Sequence, residues 1–198
     1  MFVRHFLLLT TFFIATAAPA IFAPQAMAAK PSANKVDIVT TEYAIEAPKT
    51  LPTGWTTFSF TNKGGQVHFV AMYRLVEGKT IDDQLKHVAP VFDPLMEGLR
   101  SGELTKADIG PFFQEHVPEW GLQMTWVGGA GLLAPGLSTE STFLIDKPGT
   151  YLVECYVKAP DGKWHTLMGM LQQIDVHESD TKASPPQQTI HLQSEIQA

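Results

Sequence analysis

The chain has a single cysteine among 198 residues, which excludes a disulfide within it. Cys155 must therefore be buried, bound to a metal, paired between chains, or reactive. Stability then rests on an apolar core, or on that core together with a metal. Basic charge is also scarce: Lys and Arg number 14 against 20 Asp and Glu, for a net charge of −6. No basic stripe with interleaved aromatics occurs, so nucleic acid is not an expected partner. Beyond residue 28 no stretch has the roughly 20 apolar residues that a bilayer-spanning helix requires. There is no phosphate-binding loop, because the glycines of residues 127–136 lack its spacing and its strand-to-helix setting. There is no internal repeat and no His-x-His pair.

What is present begins with an address-like N-terminus. Arg4 gives a small positive start, residues 6–22 are almost wholly apolar, and Ala26-Met27-Ala28 is a small-residue cleavage pattern. We read residues 1–28 as a signal peptide, which implies export to the periplasm or beyond. Pro19 and the short apolar run argue against a permanent membrane anchor. Residues 29–178 are then one domain, long enough to bury a core. Residues 179–198, with Pro185-Pro186, read as a polar flexible tail.

Along the domain the hydrophobic period is two at first. In residues 55–61, Phe58 and Phe60 share one face and Thr57, Ser59 and Thr61 the other. Asn62-Lys63-Gly64-Gly65 reads as a hairpin turn, since Asn and Gly tolerate positive φ, with residues 67–75 as the partner strand. The period then becomes helical. Thr80-x-x-Asp83 and Thr105-x-x-Asp108 are capping patterns, and Pro90 and Pro94 divide the intervening segment into short helices. We expect residues 79–117 to be a helical insertion packed on one end or face of the sheet. Strands return near Gly121, interrupted by a glycine-rich bend at residues 127–136. Further strands follow at 138–146, 150–157 and 168–176. About seven short strands with regular turn signals predict an all-β sandwich or barrel.

The chemistry concentrates near the end of the domain. In residues 150–157, Tyr151, Val153, Cys155 and Val157 share the more apolar face, so Cys155 points into the sandwich. A buried cysteine is commonly a small core filler. However, Pro160-Asp161-Gly162 turns the chain back toward it, and His165, Met168 and Met170 follow. Thiolate, imidazole and thioether are the soft ligand set that copper prefers. His68, at the start of its strand, offers a second imidazole. Taken plainly, the two histidines are loop or edge residues and the methionines belong to the core.

Residues 55–62 followed by His68, then Pro148-Gly149-Thr150-Tyr151-x-x-x-Cys155, His165 and Met168 before a closing strand, together resemble the cupredoxins. That resemblance covers most of residues 29–178 apart from the insertion. It implies a cupredoxin-like Greek-key β-sandwich and one copper ion. His68, Cys155 and His165 would be the equatorial ligands and Met168 the axial one, with Met170 as the alternative. The Cys-to-His loop is longer than in simple blue copper proteins, and Leu167, not a methionine, stands two residues before Gly169. The implied function is one-electron transfer or copper handling with a redox partner protein, docking through the glycine-rich bend and the loop around Met168. The competing reading is a metal-free module of the same fold whose insertion binds a protein or small ligand. Enzymatic activity is the least favoured, because nucleophilic use of Cys155 needs an exposed thiol of lowered pKa.

Overall fold

A computed structural model of the chain describes residues 33–180 and Pro185. Residues 1–28, expected to be a signal peptide, and most of the tail at 179–198 lie outside the described residues. The strands are β1 (Asn34–Thr41), β2 (Ala44–Glu46), β3 (Thr50–Pro52), β4 (Gly54–Asn62), β5 (His68–Arg74), β6 (Thr125–Leu133), β7 (Ser138–Ile145), β8 (Gly149–Glu154) and β9 (Leu171–His177). They form a four-stranded sheet in the order β2-β1-β4-β7 and a five-stranded sheet in the order β3-β9-β8-β5-β6. β1 runs parallel to β4 and β3 parallel to β9, and the other pairs are antiparallel.

The period-two pattern of β4 places Thr56, Phe58, Phe60 and Asn62 inward, all buried. Phe58 stacks on Phe143 of β7, with centroids 4.6 Å apart. Facing them from the second sheet are Val70 and Met72 of β5, Tyr151 and Val153 of β8, and Ile174 and Val176 of β9. Cys155 and Met170 complete this core at one end.

Two sequence expectations are corrected. Residues 62–65 are not a hairpin turn: β4 and β5 lie in different sheets, and residues 63–67 carry the chain from one to the other. Neither Gly64 nor Gly65 has a positive φ. The crossing is held by the buried Asn62 side chain, whose Nδ2 donates to the carbonyls of Gln66 and Leu133, each at 2.8 Å. Its Oδ1 accepts from the Gly64 N–H at 2.8 Å. The glycine-rich stretch is likewise not a bend, since most of it is the edge strand β6. Gly129 is required there: its φ is +150°, and a Cβ would lie 1.9 Å from the Val70 carbonyl oxygen. Close approach of two backbones, the close-packing half of what such glycines offer, outweighs the turn half here.

The helices are α1 (Ile81–His87), α2 (Phe92–Ser101), α3 (Ile109–His116) and α4 (Glu119–Leu122). Thr80 and Asp83 cap α1 reciprocally. Pro90 falls in the short 3-10 turn between α1 and α2. Pro94 sits in the first turn of α2, where a missing N–H costs nothing. The helical segment runs on to Leu122 because Pro118 opens one more turn. These helices cover the outer face of the five-stranded sheet. The Phe92 ring lies 4.3 Å from that of Tyr156, and Asp93 accepts from Trp164 Nε1 at 2.8 Å and Lys158 Nζ at 2.7 Å. Strand β8 is thereby buried on both faces, with Tyr151 and Val153 toward the sandwich and Leu152 and Glu154 under the helices.

Candidate metal centre

Three buried side chains, His68, Cys155 and His165, bring one ligand atom each to within 4.8 Å of one another. Each arrives by a different local device. Cys155 continues the inward register of β8. His165 returns by a short hairpin: Gly162, at φ +85°, turns the chain, and Lys158 bridges to Trp164. The His165 N–H then donates to the Val157 carbonyl at 2.8 Å. A 3-10 turn over His165–Met168 ends at Gly169, whose φ of +113° is a left-handed cap. Two backbone bonds lock the loop. The Met170 N–H donates to the His165 carbonyl at 2.9 Å, and the Cys155 N–H donates to the Met170 carbonyl at 3.0 Å.

His68 enters from the opposite side as the first residue of β5, paired with Leu133 of β6. Its ring is tilted against that of His165, with centroids 5.1 Å apart. Among the described residues neither of its ring nitrogens has a hydrogen-bond partner, although the residue is only 1% exposed. Glu42 Oε1 approaches His68 Nε2 at 3.8 Å, and the same oxygen accepts the Gln66 N–H at 2.8 Å and the Gly65 N–H. Gly64 is needed at this crowded point: a Cβ would meet Glu42 Oε1 at 2.6 Å and His68 Nε2 at 2.7 Å.

The His165 tautomer follows from its neighbours. Nε2 lies 3.3 Å from Gln66 Oε1, which can only accept, so Nε2 carries the proton. Nδ1 is left with its lone pair toward Cys155 Sγ at 3.6 Å. The Gln66 amide is itself fixed by donating to Tyr43 Oη at 2.9 Å, and the Tyr43 ring packs edge-on to His165 at 5.1 Å. The Phe69 N–H points at Cys155 Sγ at 3.4 Å. Such second-layer bonds orient ligands in metal sites.

Burial sets the protonation states. It pulls both histidines below their ordinary pKa, partly opposed by Glu42, so both rings are neutral near pH 7. It pushes the Cys155 thiol up, against the weaker pull of the Phe69 and Val157 amides. A buried thiol of raised pKa is a poor nucleophile. Next to it, Glu154 is pushed up to about 7 by burial, despite hydrogen bonds from Thr166, Tyr156 and Gln84.

The two candidate methionines are placed differently. Met168 is half-buried at the end of the 3-10 turn. Met170 is fully buried in the core that holds Cys155, just beyond the last β8–β9 pair, Glu154 with Leu171, and its carbonyl accepts the Cys155 N–H. His87 and His116 are exposed on the helices and take no part in the cluster. Sequence reasoning missed Glu42, Asn62, Gly64, Gln66 and Tyr43. Of these, Asn62 and Gly64 carry a local signal, and that signal reads as a turn.

A two-sheet sandwich that places Cys155 and His165 around the connection of its last two strands, with His68 arriving from the second sheet's inner strand, is a cupredoxin-like domain with a cluster positioned to hold a metal ion. Among solved structures the chain is similar to auracyanin from the photosynthetic bacterium Roseiflexus castenholzii, at 22% identity over 74% of this chain and 98% of that one, with a TM-score of 0.43. It is also similar to auracyanin A, a blue copper protein from Chloroflexus aurantiacus, at 17% identity over 72% and 98% with a TM-score of 0.43. Rusticyanin from Thiobacillus ferrooxidans matches at 18% identity over 74% and 79%, with a TM-score of 0.38. No protein-family model and no curated protein sequence matches the chain.

Proposed function

We propose that this chain binds one copper ion through His68, Cys155, His165 and Met170 and exchanges single electrons with a partner protein. The carrying observation is the buried His-Cys-His cluster itself, in which neither ring nitrogen of His68 has a hydrogen-bond partner among the described residues. A buried imidazole left unmatched is costly unless it has a further ligand to meet. The donor set of two imidazoles, one thiol and one thioether is that of blue-copper sites; it does not suit magnesium, and the thioether favours copper over zinc, which shares the other donors. Copper bound there would supply a centre that cycles between two oxidation states in one geometry.

The chain's own residues do the rest. Gln66 and Tyr43 hold the His165 tautomer, Glu42 and Asn62 hold the approach to His68, and the Phe69 amide directs a hydrogen bond at the sulfur. Met170 takes the axial role in this reading, because it shares the buried core with Cys155 and Met168 does not. Leu132, 73% exposed, lies beside the Leu133 that pairs with His68, and Leu167, 42% exposed, lies between His165 and Met170. This apolar rim at the histidine end is a suitable docking face for a transient redox partner. Residues 1–28 acting as an export signal would place the protein in the periplasm or outside the cell, and no described helix is long and apolar enough to cross a membrane.

Cyclic voltammetry of the copper-loaded chain tests the reading. A reversible one-electron wave that disappears in Cys155→Ser supports it. Stoichiometric copper with no reversible wave would remove electron transfer and leave copper handling.

A further inference from the structure

His68 is buried, and neither of its ring nitrogens has a hydrogen-bond partner among the described residues. One of them, Nε2, faces a carboxylate, with Glu42 Oε1 3.8 Å away. That separation is too long for a hydrogen bond, yet it sets an anion beside a buried imidazole. The carboxylate is held in place, because Oε1 accepts the Gln66 N–H at 2.8 Å and also the Gly65 N–H. Gly64 keeps the space between carboxylate and ring open. A Cβ there would stand 2.6 Å from Glu42 Oε1 and 2.7 Å from His68 Nε2. Glu42 and Tyr43 form the turn between β1 and β2, whose last pair is Thr41 with Ala44. Tyr43 fixes the His165 tautomer through Gln66. One two-residue turn therefore reaches both imidazoles, through Tyr43 to His165 and through Glu42 to His68.

A neutral imidazole carries its proton on one nitrogen and offers a lone pair on the other. A carboxylate accepts and does not donate, so beside Nε2 it favours the proton there and leaves the Nδ1 lone pair free. In metal sites a ligating imidazole commonly presents its second N–H to a carboxylate, which fixes the tautomer and raises the basicity of the ligand. We propose that Glu42 is a positioning residue for His68: it holds the ring in the Nε2–H form, leaves Nδ1 for the metal, and sets a negative charge behind that ligand. The consequence for the metal rests on the copper reading above, whereas the tautomer is a property of the metal-free chain.

Long-range proton–nitrogen NMR of the imidazoles in the purified metal-free chain, at a pH where both rings are neutral, reads the tautomers directly. His68 is expected in the Nε2–H form, a result that requires no variant to fold. In Glu42→Ala that preference should fall by at least about tenfold, the worth of a charged acceptor beside a buried N–H. His165, held by Gln66 and Tyr43, should keep its form. Glu42→Gln retains an oxygen for the Gly65 and Gln66 N–H groups and removes only the charge. Loaded with copper, it should show a higher reduction potential than the parent chain, because losing a nearby anion costs copper(II) more than copper(I). An Nδ1–H form in the parent chain, or an unchanged tautomer ratio in Glu42→Ala, would overturn the assignment. An unchanged potential in Glu42→Gln would overturn the charge effect. A chain that takes up no copper, yet loses its Nε2–H preference in Glu42→Ala, would refute the copper reading and sustain the role of Glu42.

Discussion

The Cys155 N–H donates to the carbonyl of Met170 at 3.0 Å, one backbone bond past the end of the β8–β9 ladder. Both side chains are fully buried in the same core cluster, so the thioether and the thiol share one core. This relation gives a separable pair of variants. Met170→Leu is a volume-conserving change in a core and should cost under about 1.5 kcal/mol. It should nonetheless shift the reduction potential of the copper-loaded chain. Met168→Leu should leave the potential unchanged. Voltammetry of the two variants checks this; a shift confined to Met168→Leu would restore the axial assignment implied by the resemblance.

Gly64→Ala tests the crowding between His68 and Glu42. The added methyl would stand 2.7 Å from His68 Nε2. Glu42 can swing aside, being partly exposed at the end of a flexible side chain. The buried His68 ring cannot. We expect a chain that folds but binds copper at least about tenfold more weakly, a loss of about 1.4 kcal/mol. Competition against a chelator measures it.

Much of the fold was legible in the sequence because its signals are local. The alternation of β4, the two capping boxes and the inward face of β8 each depend on residues within one element. The failures involve contacts between sheets. Asn62-Lys63-Gly64-Gly65 has hairpin composition, but Asn62 uses its side chain to bind Leu133, which is 71 positions away. Gly128 and Gly129 have bend composition, but Gly129 exists to let Val70 approach. The site was legible in part for the same reason. Cys155 and His165 are ten positions apart and joined by a readable turn. By contrast, Gln66, Tyr43 and Glu42 act across the sandwich and leave no pattern along the chain.

Asn62→Ala addresses that crossing directly. The substitution would leave the Gln66 and Leu133 carbonyls and the Gly64 N–H without their partner. Each buried group left unpaired costs on the order of 1–3 kcal/mol. Urea unfolding of the metal-free variant should show a loss of at least about 2 kcal/mol, together with weaker copper binding because residues 63–67 carry the chain to His68. Unchanged stability would mean that the side chain does not hold the crossing.

Glu154 predicts a pH dependence. Its folded pKa is raised from the ordinary 4.5 to about 7 by burial, so the folded state holds the proton more tightly than the unfolded state. Its contribution is therefore most favourable below pH 4.5 and declines as pH rises to about 7. Glu154→Gln cannot ionise and escapes this decline. Over that window the stability of the variant should improve relative to the parent by roughly 3 kcal/mol, from 1.36 kcal/mol per pKa unit. Parallel denaturation curves across the window measure it. A constant difference would show that Glu154 titrates normally.

The most direct test of the central claim is a copper titration of the purified chain, followed by visible absorption and electron paramagnetic resonance. The account predicts an intense thiolate-to-copper band that saturates at one equivalent. The band should be lost in Cys155→Ser, His68→Ala and His165→Ala, while the fold is retained. No band and no stoichiometric uptake, with Cys155 slow toward thiol reagents, would contradict it and leave a cupredoxin-like sandwich whose cysteine serves only the core.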